Sequence, residues 1–140
     1  MRLAIFISSI VALLGLSGAR ARADKETMVG FQCAGINIEG LHLGADDLRT
    51  GAGFPWILDA PKDGATPISQ VSSIIYVAWP IAVENGFLEA MTYDGKMGWL
   101  EQEAVRPLRR VDGTTGGCTL SRRSDGRIMF HLDRGVGVRS

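Results

Sequence analysis

Apolar and polar residues alternate along much of the chain, in short runs separated by turn residues. Between Val29 and Leu43 apolar positions alternate with polar or small ones, and residues 68–77 are rich in β-branched side chains. Both patterns indicate β-strands. Residues 87–93 alternate most regularly, and Asp94-Gly95 then predicts a two-residue type I′ turn into a return strand at 96–100. Short strands at this spacing predict an all-β fold, a small barrel or sandwich.

Other local signals divide the chain into further short elements. Residues 56–58 read as a strand, 46–49 as a single helical turn and 101–105 as a 3₁₀ turn. Pro80 is expected to end the strand before it, because proline cannot donate to a sheet ladder. Near the C-terminus, Asp125-Gly126 predicts the turn of a second hairpin.

The N-terminus predicts a signal peptide over residues 1–23. A basic start is followed by an apolar run of 14 residues at 3–16 and then by Ala21-Arg22-Ala23, an A-x-A cleavage pattern. The run is shorter than the roughly 20 residues that span a bilayer. An uncleaved anchor is the alternative. The expected destination is outside the cytoplasm, either the periplasm or the medium.

Two cysteines, Cys33 and Cys118, are separated by 84 residues. An even count in an exported chain favours a disulfide, which would connect both flanks to one body. The alternatives are free thiols or a catalytic cysteine, which would need one of the two histidines, His42 or His131, as its base.

Charge is distributed unevenly along the expected mature chain. Residues 24–105 carry 12 acidic and 4 basic residues, whereas residues 106–140 carry 3 acidic and 8 basic residues. We favour a basic extension that folds back on the acidic body and neutralises it. The alternative is a structural or interaction subunit of an envelope complex, in which the basic extension contacts an anionic surface such as a membrane.

The segment 54–108 resembles bacterial SH3-like (SH3b) domains. The resemblance rests on the proline-containing loop at 60–67, on Asn85-Gly86-Phe87, on the hairpin Asp94-Gly95-Lys96-Met97-Gly98-Trp99-Leu100 and on the closing Val105-Arg106-Pro107. It implies a small, strongly bent barrel of five to six strands, with 24–53 as an N-terminal flank packed on it and 109–140 as a basic extension. The expected structural residues of the barrel are Tyr76, Phe87, Leu88, Asp94, Gly95, Gly98, Trp99, Leu100 and Pro107.

The resemblance also implies a non-catalytic module that binds a peptide, a cell-wall fragment or a partner protein. Trp and Tyr anchor many binding interfaces. Trp79, before Pro80, and Tyr93, at the hairpin tip, are the expected ligand-binding residues, and plain core packing is the alternative for both.

No constellation in the sequence predicts catalysis, a metal site or a cofactor. The glycine-rich stretch 114–117 lacks the lysine of a phosphate-binding loop. The acidic pairs, such as Glu101 and Glu103, read as solvent-facing residues rather than as a glycosidase dyad. We therefore expect no enzymatic activity, no metal and no cofactor, and we do not expect nucleic acid as a partner.

Overall fold

The computed structural model describes residues 26–135, so the predicted signal peptide lies outside the described residues. Strands dominate the described part of the chain. They are β1 (Glu26–Met28), β2 (Phe31–Ile36), β3 (Trp56–Leu58), β4 (Pro67–Gln70), β5 (Ile74–Ala78), β6 (Val83–Glu84), β7 (Phe87–Met91), β8 (Met97–Glu101), β9 (Val105–Pro107), β10 (Cys118–Arg122) and β11 (Ile128–Leu132). One helix, α1 (Ala45–Thr50), and one 3₁₀ turn, Gln102–Ala104, complete the described part. The all-β prediction is confirmed.

Eight strands form one antiparallel sheet in the order β4-β3-β8-β7-β5-β2-β9, with β6 paired to β7. After β8 the chain passes through the 3₁₀ turn and returns as β9 to pair with β2, so that Ile36 lies opposite Val105. The sheet therefore begins at Phe31, within the segment 24–53 that sequence reasoning set apart as a flank.

One core cluster lies inside this sheet. It draws apolar side chains from β2, β3, β5, β7, β8 and the 3₁₀ turn: Ala34, Ile36, Ile57, Ile75, Val77, Leu88, Ala90, Leu100 and Ala104. Leu48 of α1 and Phe54 pack against the cluster from the segment that follows β2. Because strands from the whole width of the sheet contribute to one cluster, the sheet curls around it.

A second sheet is built from the two flanks. Strand β10 pairs with β1 on one side and with β11 on the other. This three-stranded sheet packs on the larger one through a second cluster of Cys33, Ile74, Tyr76, Met91, Leu108, Leu120 and Ile128. Within the described residues, the extension after residue 108 thus forms β10 and β11.

The predicted disulfide is confirmed. Cys33 of β2 is bonded to Cys118 of β10, with 5.7 Å between the two Cα atoms. Cys33 is buried and Cys118 is half-buried, so the bond lies at the junction of the two sheets. It joins the larger sheet to the smaller one covalently.

Strand β7 is buried on both of its faces, which explains why simple alternation is a poor guide to its environment. Leu88 and Ala90 belong to the first core cluster, and Met91 belongs to the second. Phe87 is buried as well, at 4% exposure. Of the aromatic residues expected in the core, Tyr76 is buried and Trp99 is only half-buried.

The prediction of a type I′ turn at Asp94-Gly95 is wrong in detail. A type I′ turn needs positive φ at both central residues, and here Gly95 has φ 84° while Asp94 is not among the residues with positive φ. The Gly95 N–H donates to the Thr92 carbonyl at 3.0 Å. This is a three-residue loop over 93–95, in which the left-handed glycine follows a type I turn. Asn85-Gly86, with φ 51° and 82°, forms the two-residue turn between β6 and β7.

Side-chain hydrogen bonds fix the Asp94 loop. The Thr92 hydroxyl donates a hydrogen bond to the Asp94 carboxylate. The same hydroxyl oxygen accepts a hydrogen bond from the Lys96 backbone N–H at 2.9 Å. The hydrogen bond from Thr92 is the largest cause of a lowered Asp94 pKa, and Lys96 lowers it further by a hydrogen bond and by its charge. The loop therefore prefers the ionised form of Asp94.

This preference predicts an acid-sensitive hairpin. A carboxyl group with a lowered folded-state pKa stabilises the fold fully above its unfolded pKa of about 3.9, and the stabilisation is lost as the pH falls through the folded-state value. An NMR titration of Asp94 should show a pKa below the ordinary range, and Thr92→Val should raise it. A Thr92→Val chain whose Asp94 titrates at the wild-type position would refute the assigned cause.

Candidate binding groove

An apolar groove of about 330 Å³ lies where β2, β5, β7 and β9 come together beside Trp79. The lining residues are Gln32, Cys33, Ala34, Val77, Trp79, Ile81, Leu88, Gln102, Val105, Arg106, Pro107, Leu108, Thr115 and Gly116. Its volume is at the lower end of the range for ligand sites, and its composition, apolar with few polar groups, is typical of them.

Trp79 stands at the rim of this groove immediately after β5. Its N–H donates to the Gly30 carbonyl at 2.9 Å, and the Trp79-Pro80 peptide bond is cis. The indole remains 55% exposed, and the nearby Ile81 and Val83 are 48% and 49% exposed. Three large apolar side chains within five residues of sequence are thus exposed, and two of them, Trp79 and Ile81, line the groove. Exposed apolar surface beside a groove commonly marks an interaction site.

Arg106 is the one charged residue among those that line the groove. It lies half-buried on β9, opposite Gly35 of β2, and it makes no ion pair within residues 26–135. Gln32 and Gln102 add amide groups to the same lining. The arrangement suits a ligand with an apolar body and one anionic or hydrogen-bonding group.

Tyr93 is exposed, as expected, but the structure does not bring it to Trp79. Tyr76 pairs with Met91 and Val77 with Ala90, so this register sets Trp79 level with Leu88 and Tyr93 level with Ile74. Five residues of strand separate the two positions, which is about 16 Å at 3.3 Å per residue. The two residues expected to form one site therefore lie at opposite ends of the β5–β7 pair.

Tyr93 borders a separate, smaller cavity of about 280 Å³, lined in part by Ile74, Tyr76 and Thr92. Burial raises the pKa of the Tyr76 phenol, so this group stays neutral at ordinary pH. We favour the Trp79 groove as a ligand site because it is larger and because the exposed residues Trp79 and Ile81 line it.

The groups considered for catalysis are dispersed in the described part of the chain. Cys33 and Cys118 are bonded to each other in the disulfide, so neither can serve as a nucleophilic thiolate. His42 precedes α1 and His131 lies on β11, and both are exposed. Within residues 26–135 no cluster of three or more His, Cys, Asp or Glu residues is positioned to hold a metal ion.

Sequence reasoning named Trp79 but missed most of the groove around it. Ile81 and Arg106 were not singled out as site residues, and Pro107 was assigned a structural role although it lines the groove. One signal was available in the sequence. Trp79-Pro80-Ile81 is an apolar segment in a position where a turn normally carries polar residues.

None of the protein families, curated proteins or solved structures compared with the chain matches it. Among the described residues, no helix has both the length and the apolar character needed to cross a membrane. The disulfide, the exposed apolar residues of the groove and the distribution of charge are the features of the chain that bear on its function.

Proposed function

We propose that this chain is an exported, non-enzymatic SH3-like module that binds an extended peptide, in particular a cell-wall peptide fragment, in the groove beside Trp79. The exposed Trp79 indole above an apolar groove is the observation that carries the proposal. Aromatic-lined grooves on small β-folds recognise extended peptides in a recurring binding mode.

The strand order supports the SH3-like part of the proposal. A curled antiparallel sheet surrounds one core cluster, and a 3₁₀ turn precedes the strand that returns to pair with β2. Likeness of fold alone does not specify a ligand. The binding proposal therefore depends on the residues of the groove.

Export is supported by the disulfide. Such bonds persist outside the cytoplasm and are rare within it, where thiols are kept reduced. The Cys33–Cys118 bond thus indicates a non-cytoplasmic compartment. We place the protein in the periplasm or the medium, with residues 1–23 as its signal peptide.

Arg106 supports a ligand with a carboxylate. Arg106, half-buried and without an anionic partner in the described residues, offers a charged hydrogen-bond donor to an otherwise uncharged groove. The peptides of cell walls combine short apolar side chains with free carboxylates. A peptide of this kind could place its apolar side chains against the apolar lining of the groove and its carboxylate beside Arg106.

Replacing Trp79 is the direct test of this proposal. Trp79→Ala should weaken retention on purified peptidoglycan about 30-fold, since an aromatic anchor commonly contributes about 2 kcal/mol of binding free energy. Binding isotherms with soluble wall fragments measure the change. The fold should survive because the indole is 55% exposed.

Trp56→Ala provides the matched control. Trp56 is 49% exposed on β3 but does not line the groove, so its removal should leave retention unchanged. Equal loss in both variants would show that the effect is not specific to the groove. Failure of the wild-type protein to bind peptidoglycan or its fragments would overturn the wall ligand.

A further inference from the structure

The two parts of the described chain, residues 26–105 and 106–135, carry opposite net charges and form no ion pairs with each other. Residues 26–105 carry 11 acidic and 3 basic residues, whereas residues 106–135 carry 3 acidic and 7 basic residues. Every ion pair within the described residues joins groups from the same part: Arg49 with Asp46, Lys96 with Asp94, Arg110 with Asp133 and Arg123 with Asp125. The extension packs on the body as expected, but through apolar contacts and the disulfide. Its excess positive charge is therefore not neutralised by ion pairs with the acidic part of the described chain.

Part of this positive charge is concentrated where two hairpin turns meet. The Ile128 N–H, at the start of β11, donates to the Tyr93 carbonyl at 2.7 Å, which brings the β7–β8 loop against the β10–β11 hairpin. The Arg122 guanidinium lies against the same loop, since a Cβ added at Gly95 would be 3.0 Å from its Nη1. We name the resulting cluster the basic tip; it consists of Lys96, Arg122, Arg123 and Arg127.

The cations of the basic tip outnumber the nearby acids. Asp94 faces Lys96 at 3.4 Å, Asp125 faces Arg123 at 3.7 Å, and Glu26 of β1 lies opposite Arg122, so four cations stand against three carboxylates. The side chains of Lys96 and Arg123 are 66% and 52% exposed. The basic tip therefore presents a net positive surface to solvent.

Tyr93 projects from the same location and is 62% exposed. A tyrosine beside exposed cations suits a membrane interface, because the ring partitions to the level of the headgroups while the cations meet lipid phosphates. A polyanion in solution would use the charges but would offer no apolar layer for the ring. This combination favours a lipid surface over a nucleic acid.

We propose that the basic tip and Tyr93 dock the protein onto an anionic lipid surface. The docking surface is separate from the Trp79 groove, because Tyr93 and Trp79 lie at opposite ends of the β5–β7 pair. The protein would thus hold its groove free while the basic tip rests on the headgroups. This inference does not depend on the proposed peptide ligand.

The experiment measures partition of the full chain onto phosphatidylglycerol-containing vesicles and onto phosphatidylcholine vesicles. Arg123→Gln/Arg127→Gln should weaken the anionic-vesicle component about 25-fold, since a basic residue near such a surface contributes about five-fold in affinity. Asp125→Asn removes a negative charge beside the basic tip and should strengthen binding to anionic vesicles by up to about five-fold. The turn should persist, because the asparagine side-chain oxygen can still accept the hydrogen bond that the Arg127 backbone N–H donates to Asp125 at 3.1 Å.

Three controls separate docking from other causes of binding. The apolar run at residues 3–16 would promote binding to both kinds of vesicle. The affinity for anionic vesicles is therefore compared with the affinity for neutral vesicles, and the difference between the two is reported for each variant. Arg49→Gln removes the same charge from α1 and should leave that difference unchanged. Arg123→Lys/Arg127→Lys retains the charges and should bind nearly as well as the wild type.

Several outcomes would overturn the proposal. If Arg49→Gln and Arg123→Gln/Arg127→Gln weakened binding to anionic vesicles equally for each charge removed, the binding would depend on the net charge of the protein and not on the basic tip. An anionic component that persists unchanged from low to physiological salt would contradict an electrostatic contact. Tighter binding to a DNA duplex than to the vesicles would assign the basic tip to nucleic acid instead.

Discussion

Replacing both Cys33 and Cys118 with alanine is expected to lower the free energy of unfolding by about 4 kcal/mol. The chain-entropy relation gives about 4–5 kcal/mol for a loop of this length, and removal of a native disulfide from a small exported domain commonly costs about 2–5 kcal/mol. The bond joins β2 of the larger sheet to β10 of the smaller one across 85 positions of sequence. Urea titration of the oxidised wild type and of the double variant measures the difference.

Reduction provides the control for this expectation. A reductant should bring the wild type close to the stability of the double variant and should leave the double variant unchanged. Hydrogen exchange should show the largest loss of protection in β1, β10 and β11, because these strands would then be held on the larger sheet without a covalent link, mainly by the second core cluster. Equal stability of the oxidised wild type and the double variant would refute a stabilising role for the bond.

Replacing Gly98 with alanine is expected to destabilise the protein by about 3 kcal/mol, at the upper end of the usual cost of overpacking. A Cβ at this position would lie 2.3 Å from Ile57 Cγ2, 2.7 Å from the Leu58 carbonyl oxygen and 2.9 Å from Ile68 Cδ1. Since one of these atoms belongs to the backbone, a change of rotamer alone cannot relieve the contact. Thermal or urea unfolding measures the loss.

Gly35→Ala is the matched control for Gly98→Ala. Gly35 is also a buried strand glycine, but a Cβ there would meet its nearest atom, Leu108 Cδ2, at an ordinary 3.5 Å. We expect a change within about 1 kcal/mol, as for an alanine that fits without strain. Similar losses in the two variants would show that β3 does not approach β8 as closely as the structure places it.

The local pattern predicted the strands of the larger sheet well. Local signals predicted the strands observed at β3, β5, β7 and β8: a short apolar run for β3, β-branched composition for β5, alternation for β7 and the preceding turn for β8. Pro80 lies just beyond the end of β5 as expected. The predicted helical turn at 46–49 lies within α1. These features depend on backbone sterics and residue propensities within a few positions, so they can be predicted from the local sequence.

Features that depend on distant partners were harder to predict. The type I′ geometry belongs to Asn85-Gly86 rather than to Asp94-Gly95, because the Thr92 side chain holds Asp94 in a longer loop. Burial of β7 on both faces required a second sheet assembled from the two ends of the described chain. The exposure of both Trp79 and Tyr93 agrees with expectation, yet their separation follows from the register of β5 on β7.

The residues alone were sufficient to predict an all-β chain and the pairing of Cys33 with Cys118, because turn chemistry, alternation and an even cysteine count are local or compositional signals. They also displayed the opposite charges of the two parts of the chain. Whether those charges neutralise each other depended on how the smaller sheet packs, and the ion pairs of the described residues stay within each part. The groove beside Trp79 likewise arises from four strands that are distant in sequence, since packing over long separations determines which side chains share a surface.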